Sequence, residues 1–251
     1  MNKFKLLACL FMFGAGTLTA QAQTDSLPTH FSQEEQITDD PFAQKWELAV
    51  HGGWSYRIAK LGDQVQPDFV DYANKLRSGY HVGADLDYFF KENMGIGLKY
   101  VRFGSKATID NVTVTDIATG QVIGQGSMSD NIAINFIAPS FNYRYIFPSR
   151  KAALQAHYAL GYLSYTNNAK LINDDLKITA QNFGISLGAH LVVPFGQRLS
   201  FTAGATLLGG SFGKFEVKRA DGTTQTIEAE NDNERENVTR IDLSVGLRFK
   251  L

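Results

Sequence analysis

This chain of 251 residues has little cysteine, little proline and almost no net charge. These features limit the chemistry and the partners that the protein can have. It holds one cysteine, Cys9, and six prolines, and 24 basic residues against 25 acidic ones leave a formal net charge of −1. A balanced charge without a basic patch argues against nucleic acid as a partner. Beyond the N-terminal segment, no apolar run reaches the roughly 18 residues of a transmembrane helix. By contrast, glycine is abundant at 23 residues and aromatic residues make up 12% of the chain.

The N-terminus has the organisation of an export signal. Lys3 and Lys5 precede an apolar stretch from Leu6 to Ala20, and the sequence Ala20-Gln21-Ala22 fits a cleavage site. We therefore predict a signal peptide over residues 1–22. Its removal would take Cys9 away and leave no thiol for disulfide or thiolate chemistry. An alternative is that Cys9 is a lipid anchor, but the apolar run before it is short for that role.

The next segment, residues 23–44, has the composition of a linker. It contains acidic residues but no lysine or arginine, and it shows little apolar periodicity. Such a composition is typical of chain that buries too little apolar surface to fold. We predict a flexible periplasmic linker over residues 23–44 and a single domain over residues 45–251.

From Lys45 onward, apolar residues alternate with small or polar ones. Strict alternation over about ten residues predicts a half-buried strand, and about ten residues is the length that a tilted membrane strand needs. Eight segments show the pattern: Trp46–Tyr56, Tyr80–Tyr88, Ile96–Tyr100, Ile137–Tyr145, Leu154–Tyr162, Phe183–Val193, Leu199–Leu207 and Ile241–Leu251. The predicted fold is all-β, an eight-stranded antiparallel up-and-down transmembrane β-barrel.

The connections between these segments alternate in length. Short ones are predicted at Lys91–Met94, Pro148–Lys151 and Pro194–Gln197, and long ones at about Lys60–Arg77, Ser105–Asp130, Asn167–Lys177 and Gly213–Asn237. Short periplasmic turns and long outer loops are typical of outer-membrane barrels. Asp221-Gly222 predicts a type I′ hairpin turn inside the last long loop, and Thr119-Gly120 predicts a similar one in the second. Pro139 interrupts the fourth strand, where a bulge would absorb the missing hydrogen-bond donor.

The composition of the polar face indicates which side of the barrel is inside. A soluble lipocalin-like barrel, the inverted alternative, would place lysine and glutamate on its outer face, whereas a narrow lumen favours glycine and serine. We therefore expect the apolar face to meet lipid and the lumen to be filled by side chains. The expected lumen charges are Glu47, Asp85, Asp87, Lys99, Asp242 and Arg248, with Val101, Phe103 and Leu208 completing the filling. Asp85 is expected to pair with Lys99, and Glu47 with Arg248.

No residue qualifies as catalytic, cofactor-binding or metal-binding, and no cofactor is expected. Gly184–Gly188 matches the G-x-S-x-G pattern, but Ser186 falls in the middle of a predicted strand instead of a strand-to-helix turn. Four histidines fall on the lumen face, and packing explains them better than a metal cluster: His51, His81, His157 and His190. None has a serine two residues later, the His-x-Ser pair of barrels that resemble lipid A deacylases.

The final residues, Ser244–Leu251, read polar-x-Gly-x-x-apolar-x-apolar, and Ile137-Ala138-Pro139 places a proline in the fourth strand. Both features resemble the bacterial outer-membrane β-barrel domain family, akin to small OmpA/OmpX-type barrels, and the resemblance covers nearly all of Lys45–Leu251. It implies a location in the cell outer membrane of a Gram-negative bacterium. The implied partners are outer-membrane lipid and lipopolysaccharide, the barrel assembly machinery through the C-terminal strand, and an unknown extracellular partner.

The function that this resemblance implies is a structural or surface-interaction role, exerted through four long extracellular loops and without enzymatic activity. A porin-like channel for small solutes is the first alternative, and a lipid-modifying enzyme of the envelope is the second.

Overall fold

A computed structural model of the chain describes residues 40–58, 67–115, 121–172, 174–231 and 235–251. The predicted signal peptide and residues 23–39 lie outside this part. Eight antiparallel strands form a closed ring: β1 (Trp46–Arg57), β2 (Ser78–Lys91), β3 (Met94–Thr115), β4 (Val122–Ile146), β5 (Ala153–Leu171), β6 (Asp174–Pro194), β7 (Leu199–Phe212) and β11 (Arg240–Lys250). Each ring strand pairs with its sequence neighbours, and β1 pairs with β11 to close the ring.

The remaining elements belong to the connections between ring strands. They are the helix α1 (Pro67–Arg77) and the short strands β8 (Lys214–Arg219), β9 (Thr224–Glu228) and β10 (Glu236–Asn237). In the described residues, no helix is long and apolar enough to cross a membrane. The end of the barrel with the three short turns is called the turn end below, and the opposite end is called the crown end.

The alternation of the sequence becomes an apolar outside and a filled inside. Large apolar side chains of every ring strand are exposed on the outer wall, as Val50 at 44% and Leu243 at 49% illustrate, whereas Glu47 is 1% exposed and Lys99 2%. This orientation is the reverse of a lipocalin and excludes that alternative, because a water-facing wall of this composition would be unstable. The predicted fold class and the predicted lipid-facing and lumen-facing sides are confirmed.

Two of the predicted long loops are largely continuous β-structure. The β3–β4 ladder runs on to Thr115↔Val122, and the β5–β6 ladder runs on to Leu171↔Asp174. The hairpin that the sequence predicts in the Ser105–Asp130 connection is thus supported by the pairing on either side of its tip, whereas the pairing of Asn167–Lys177 was not predicted. Strict alternation is lost there because these strands rise beyond the lipid, so the outer face carries polar side chains. We call this raised sheet the crown, comprising residues 106–115, 122–131, 167–171 and 174–179 with β8 and β9.

The last long connection also folds onto the crown. β8 pairs with β6 and β9 pairs with β8, so the predicted hairpin is present. Its turn differs from the predicted type I′ form, which needs a positive φ at both Asp221 and Gly222. Only Gly222 has one (φ 86°), and the amide of Arg219 bonds the carbonyl of Thr223, leaving a three-residue connection. The Thr119-Gly120 turn lies outside the described residues.

Pro139 is accommodated without a bulge, contrary to prediction. The register between β4 and β5 is unchanged from Ile137↔Tyr162 to Ser140↔Ala159, and only the bridges between them are lost. Gly161 faces this gap, where a Cβ atom would lie 2.3 Å from the carbonyl oxygen of Ile137. The close approach of the two strands therefore requires glycine, and the ladder loses bonds without shifting.

Candidate functional site

The lumen is the first candidate site, and its turn end is filled by a network of opposite charges. Arg248 Nη1 lies 2.9 Å from Glu47 Oε2 and 2.7 Å from Asp87 Oδ2, which confirms the predicted Glu47–Arg248 pair. Arg144 Nη2 makes a further ion pair with Glu47 at 2.7 Å, and its guanidinium lies 3.7 Å from the ring centroid of Phe89. Buried charges persist where each has a partner of opposite sign.

Sequence reasoning missed Arg144, although the signal was present. Arg144 stands between the lipid-facing residues Tyr143 and Tyr145, so the period of two places it in the lumen.

The second predicted pair lies one layer deeper. Asp85 and Lys99 are direct partners across β2 and β3, and Lys99 Nζ lies 3.0 and 3.2 Å from the two carboxylate oxygens of Asp85. His51 adds a longer contact of 3.6 Å to the same carboxylate. The predicted pairing of Asp85 with Lys99 is thus present in the geometry.

Phe42 closes the turn end of the lumen. It is 2% exposed and packs with Ala153 and Val192, while Arg144 and Lys250 lie over its ring at 5.3 and 5.6 Å from the centroid. Phe42 belongs to the segment predicted as a linker, so packing against the barrel extends upstream of Lys45. The only signal was an isolated aromatic residue without periodic neighbours, which periodicity cannot detect.

The four lumen histidines form a row across the barrel, although they are distant in sequence. Ring centroids are 5.9 Å apart for His81 and His51, 6.5 Å for His51 and His190, and 5.4 Å for His190 and His157. Within the described chain, no group of three or more histidine, cysteine or acidic side chains is arranged to hold a metal ion. What the structure shows for these four side chains is the packing of their rings against one another.

Glycines provide the space that these rings occupy. A Cβ atom added to the facing glycine would lie within 2.5 Å of a ring atom in three cases: Gly83 against His51, Gly188 against His157, and Gly204 against His190. A Cβ atom does not approach a nonbonded heavy atom this closely. The histidine row therefore requires glycine at these three positions.

Two of the histidines contact serines, but neither contact forms a catalytic triad. The Ser55 hydroxyl donates to Asp242 Oδ1 at 2.6 Å and lies 2.9 Å from His81 Nδ1, so the serine stands between histidine and carboxylate. A triad needs the histidine in the middle position. Ser186, of the G-x-S-x-G pattern, lies 3.2 Å from His157 Nε2 in the middle of β6 and is 0% exposed.

The crown half of the lumen is an apolar core. Phe103, Phe136 and Leu208 are fully buried, and Arg240, the ladder partner of Leu208, has its guanidinium 5.2 Å from the Phe103 ring centroid. The predicted filling by Val101, Phe103 and Leu208 is confirmed. The core also includes Ile132, Ile134, Leu163, Tyr165, Phe212 and Val238, and Ile178 and Phe215 of the crown pack against it.

The helix α1 packs against the crown end of this core. Leu76 contacts the core, and the Tyr72 hydroxyl donates to Asp130, whose other carboxylate oxygen accepts from Asn167. Burial, together with the Asp130 carboxylate, raises the pKa of Tyr72 well above its usual range. Arg77 Nε donates to the carbonyl of Arg57 at 3.0 Å and fixes the end of the helix. The lumen is thus covered at the crown end as well.

No protein-family model and no curated protein sequence matches the chain. Among solved structures, a major outer membrane protein from Thermus thermophilus superposes with a TM-score of 0.54 at 12% identity, covering 83% of this chain and 100% of that one. Neisserial surface protein A gives a TM-score of 0.47 at 12% identity, with 82% and 97% covered. The outer membrane protease OmpT from Escherichia coli gives 0.46 at 9% identity, with 82% and 97% covered.

At such identities, likeness shows the fold alone, and only the Thermus structure exceeds a TM-score of 0.5 among these three. The fold is that of a bacterial outer-membrane β-barrel, and the continuous apolar outer wall of this chain requires lipid around it. These two observations define an integral outer-membrane β-barrel protein, as the sequence predicted.

Proposed function

We propose that the protein is a non-conducting outer-membrane barrel that exposes its crown outside the cell for structural or surface-interaction purposes. One observation carries the proposal: the lumen is occupied from Phe42 through the charge network, the histidine row and the apolar core up to α1. An eight-stranded barrel has an interior just wide enough for side chains to fill it. A solute path is therefore disfavoured, and the crown is left as the part able to act.

The β8–β9 hairpin is the best candidate for contact with a partner. Every residue of β9 is exposed, and in the described sheet this strand pairs only with β8. An open strand edge can add a strand from another chain. The serine–histidine contacts favour no enzymatic function, because Ser55 and Ser186 are both 0% exposed and out of reach of a substrate.

The orientation of the crown is tested with two single-cysteine variants. Asp221 is exposed at the tip of the β8–β9 hairpin and Ser149 is exposed in a short turn at the opposite end. We expect a membrane-impermeant thiol reagent to label Asp221→Cys on intact cells and to label Ser149→Cys only after permeabilisation. Labelling of Ser149→Cys on intact cells, with Asp221→Cys protected, would invert the orientation and refute the proposed display of the crown.

A further inference from the structure

The outer wall of the barrel has a polar groove where the crown begins. It lies across β2, β3 and β4 and has a volume of about 570 Å³. Gly104 forms part of its floor, and a Cβ atom there would lie 2.7 Å from the Tyr80 ring. Its lining includes Ser78, Tyr80, Arg102, Gly104, Lys106 and Asn131.

The groove has two cations and no carboxylate among its lining residues. Arg102 and Lys106 stand on the outward face of β3, two residues to either side of Gly104, and both are exposed. At the rise of a strand, their Cα atoms are about 13 Å apart. Arg102 Nη1 donates to Asn135 Oδ1 at 3.1 Å, and this contact holds its guanidinium against the wall.

The height of the groove matches the surface of the bilayer. Tyr100 and Trp54 are exposed on the wall beside it, 40% and 48%, and the Tyr100 hydroxyl donates to the same Asn135 oxygen as Arg102. Aromatic girdles mark the level of the headgroups in membrane barrels. Below them the wall is apolar, as at Leu98, which is 50% exposed. Arg102 therefore lies at the level where a cation meets lipid headgroups instead of hydrocarbon.

We propose that this groove binds the phosphorylated sugar headgroup of an outer-leaflet glycolipid, namely the lipid A part of lipopolysaccharide. Guanidinium and ammonium groups are the side chains that recognise phosphate, and they are stabilised by anionic headgroups at the bilayer surface. Two separated cations suit a rigid headgroup with two phosphates better than a glycerophospholipid with one. Asn131 and Ser78 supply hydrogen-bonding groups for sugar hydroxyls. The inference rests on the proposed orientation, which places the groove in the outer leaflet.

The test uses the indole of Trp54 as a reporter. Trp54 Nε1 donates to Ser78 Oγ at 2.8 Å, and Ser78 lines the groove. The chain has two tryptophans, so Trp46→Phe leaves Trp54 as the sole tryptophan. Bisphosphoryl lipid A is titrated into the folded protein in zwitterionic micelles. We expect a saturable change in emission, and an affinity about thirtyfold lower in Arg102→Gln/Lys106→Gln, because each surface cation contributes roughly fivefold.

The matched control is Lys91→Gln/Lys151→Gln, which removes two exposed cations at the turn end, the end of the barrel opposite the groove. It should bind lipid A within about twofold of the parent, since screening weakens charges at that distance. The inference would be overturned if the groove variant bound lipid A as tightly as the parent, or if the control lost as much affinity as the groove variant. Saturation by phosphatidylglycerol or inorganic phosphate at the same phosphate concentration would overturn it as well. Both ends of the barrel are accessible in micelles, so the titration fails or succeeds independently of the labelling test.

Discussion

At the scale of single residues, the buried charges of the lumen depend on one another, because each lies beside a partner of opposite sign. Asp85 and Lys99 illustrate this best, since both are at most 8% exposed and each is the other's ion-pair partner. Removing one member of a buried pair leaves the other charge uncompensated. The two side chains should therefore act as one unit in folding.

A double-mutant cycle tests this coupling. Lys99→Ala should lower the free energy of unfolding by about 3–5 kcal/mol, and adding Asp85→Ala should cost little more, because the uncompensated carboxylate is then gone. Urea unfolding in lipid vesicles measures both. As a control, Lys99→Ala combined with Glu236→Ala should be additive, since Glu236 pairs with Arg57 near the crown. Additive losses for Asp85 and Lys99 would show that the pair is not coupled.

The assignment of faces gives a second residue-scale prediction. Leu187 is 44% exposed on the outer wall, beside Tyr158 and Leu207 in the ladders. Leu187→Arg should destabilise the folded barrel in vesicles by about 2–4 kcal/mol, the cost of arginine near the bilayer midplane. Asn168→Arg, on the outward side of the crown, should be tolerated. A harmless Leu187→Arg would mean that this face of β6 does not meet lipid.

The sequence predicted which residues face the lumen wherever apolar and polar residues alternate with a period of two. It did not predict lumen contacts made by residues outside the alternating segments. Alternation put Glu47 and Arg248 on the same face, and antiparallel closure brought them together. Arg144 obeyed the same rule and could have been predicted. Phe42 could not, because one aromatic residue outside a periodic segment gives no indication of what it packs against.

At the scale of elements, the crown shows the limit of alternation as a signal. β3 and β4 stay paired well past the lipid boundary, in unbroken register as far as Ile109↔Met128 and with two register shifts beyond that pair. Their outward residues there are polar because they face water, so the sequence resembles a loop. Backbone pairing continues although the apolar period has ended, and this explains why the full length of these strands was not predicted, while the turn residues did indicate a hairpin in the second connection.

The helix α1 was missed for a different reason. It begins at Pro67 and has Lys75 and Arg77 in its last turn, which are recognised start and stop signals of a helix. The signals were therefore available in the sequence. They lay inside a segment assigned as a loop from its position between two strands.

The contact between Tyr72 and Asp130 should hold α1 against the crown. Tyr72→Phe should destabilise α1 locally by about 1.5–3 kcal/mol, the range for a hydrogen bond to a charged group. Because the pKa of Tyr72 is raised on folding, its contribution is fully present below about pH 10 and is lost as the pH rises through the folded value. Hydrogen exchange of the α1 amides measures the effect.

The control for this helix variant is Tyr158→Phe, which removes a hydroxyl from the lipid-facing wall, where Tyr158 is 46% exposed. It should leave exchange in α1 unchanged. Unchanged exchange in Tyr72→Phe as well would show that the helix is held by apolar contacts such as that of Leu76 and not by the hydroxyl.

At the scale of the whole molecule, the barrel is a filled cylinder with a covered lumen at each end. Phe42 packs at the turn end and α1 packs at the crown end, with charges, histidines and an apolar core between them. Sequence patterns predicted the ring, its faces and its filling. The closing contacts come from segments without periodicity, so they required the structure.

Ion conductance in planar bilayers tests the filled lumen most directly. The folded, purified protein should give no stable conductance steps above the baseline of the lipid, while a general porin inserted in the same apparatus shows that channels are detectable. Side chains that occupy the lumen of an eight-stranded barrel leave no continuous path for hydrated ions. Stable, reproducible channels formed by the intact protein would contradict the filled lumen and would make a small-solute channel the better description of its function.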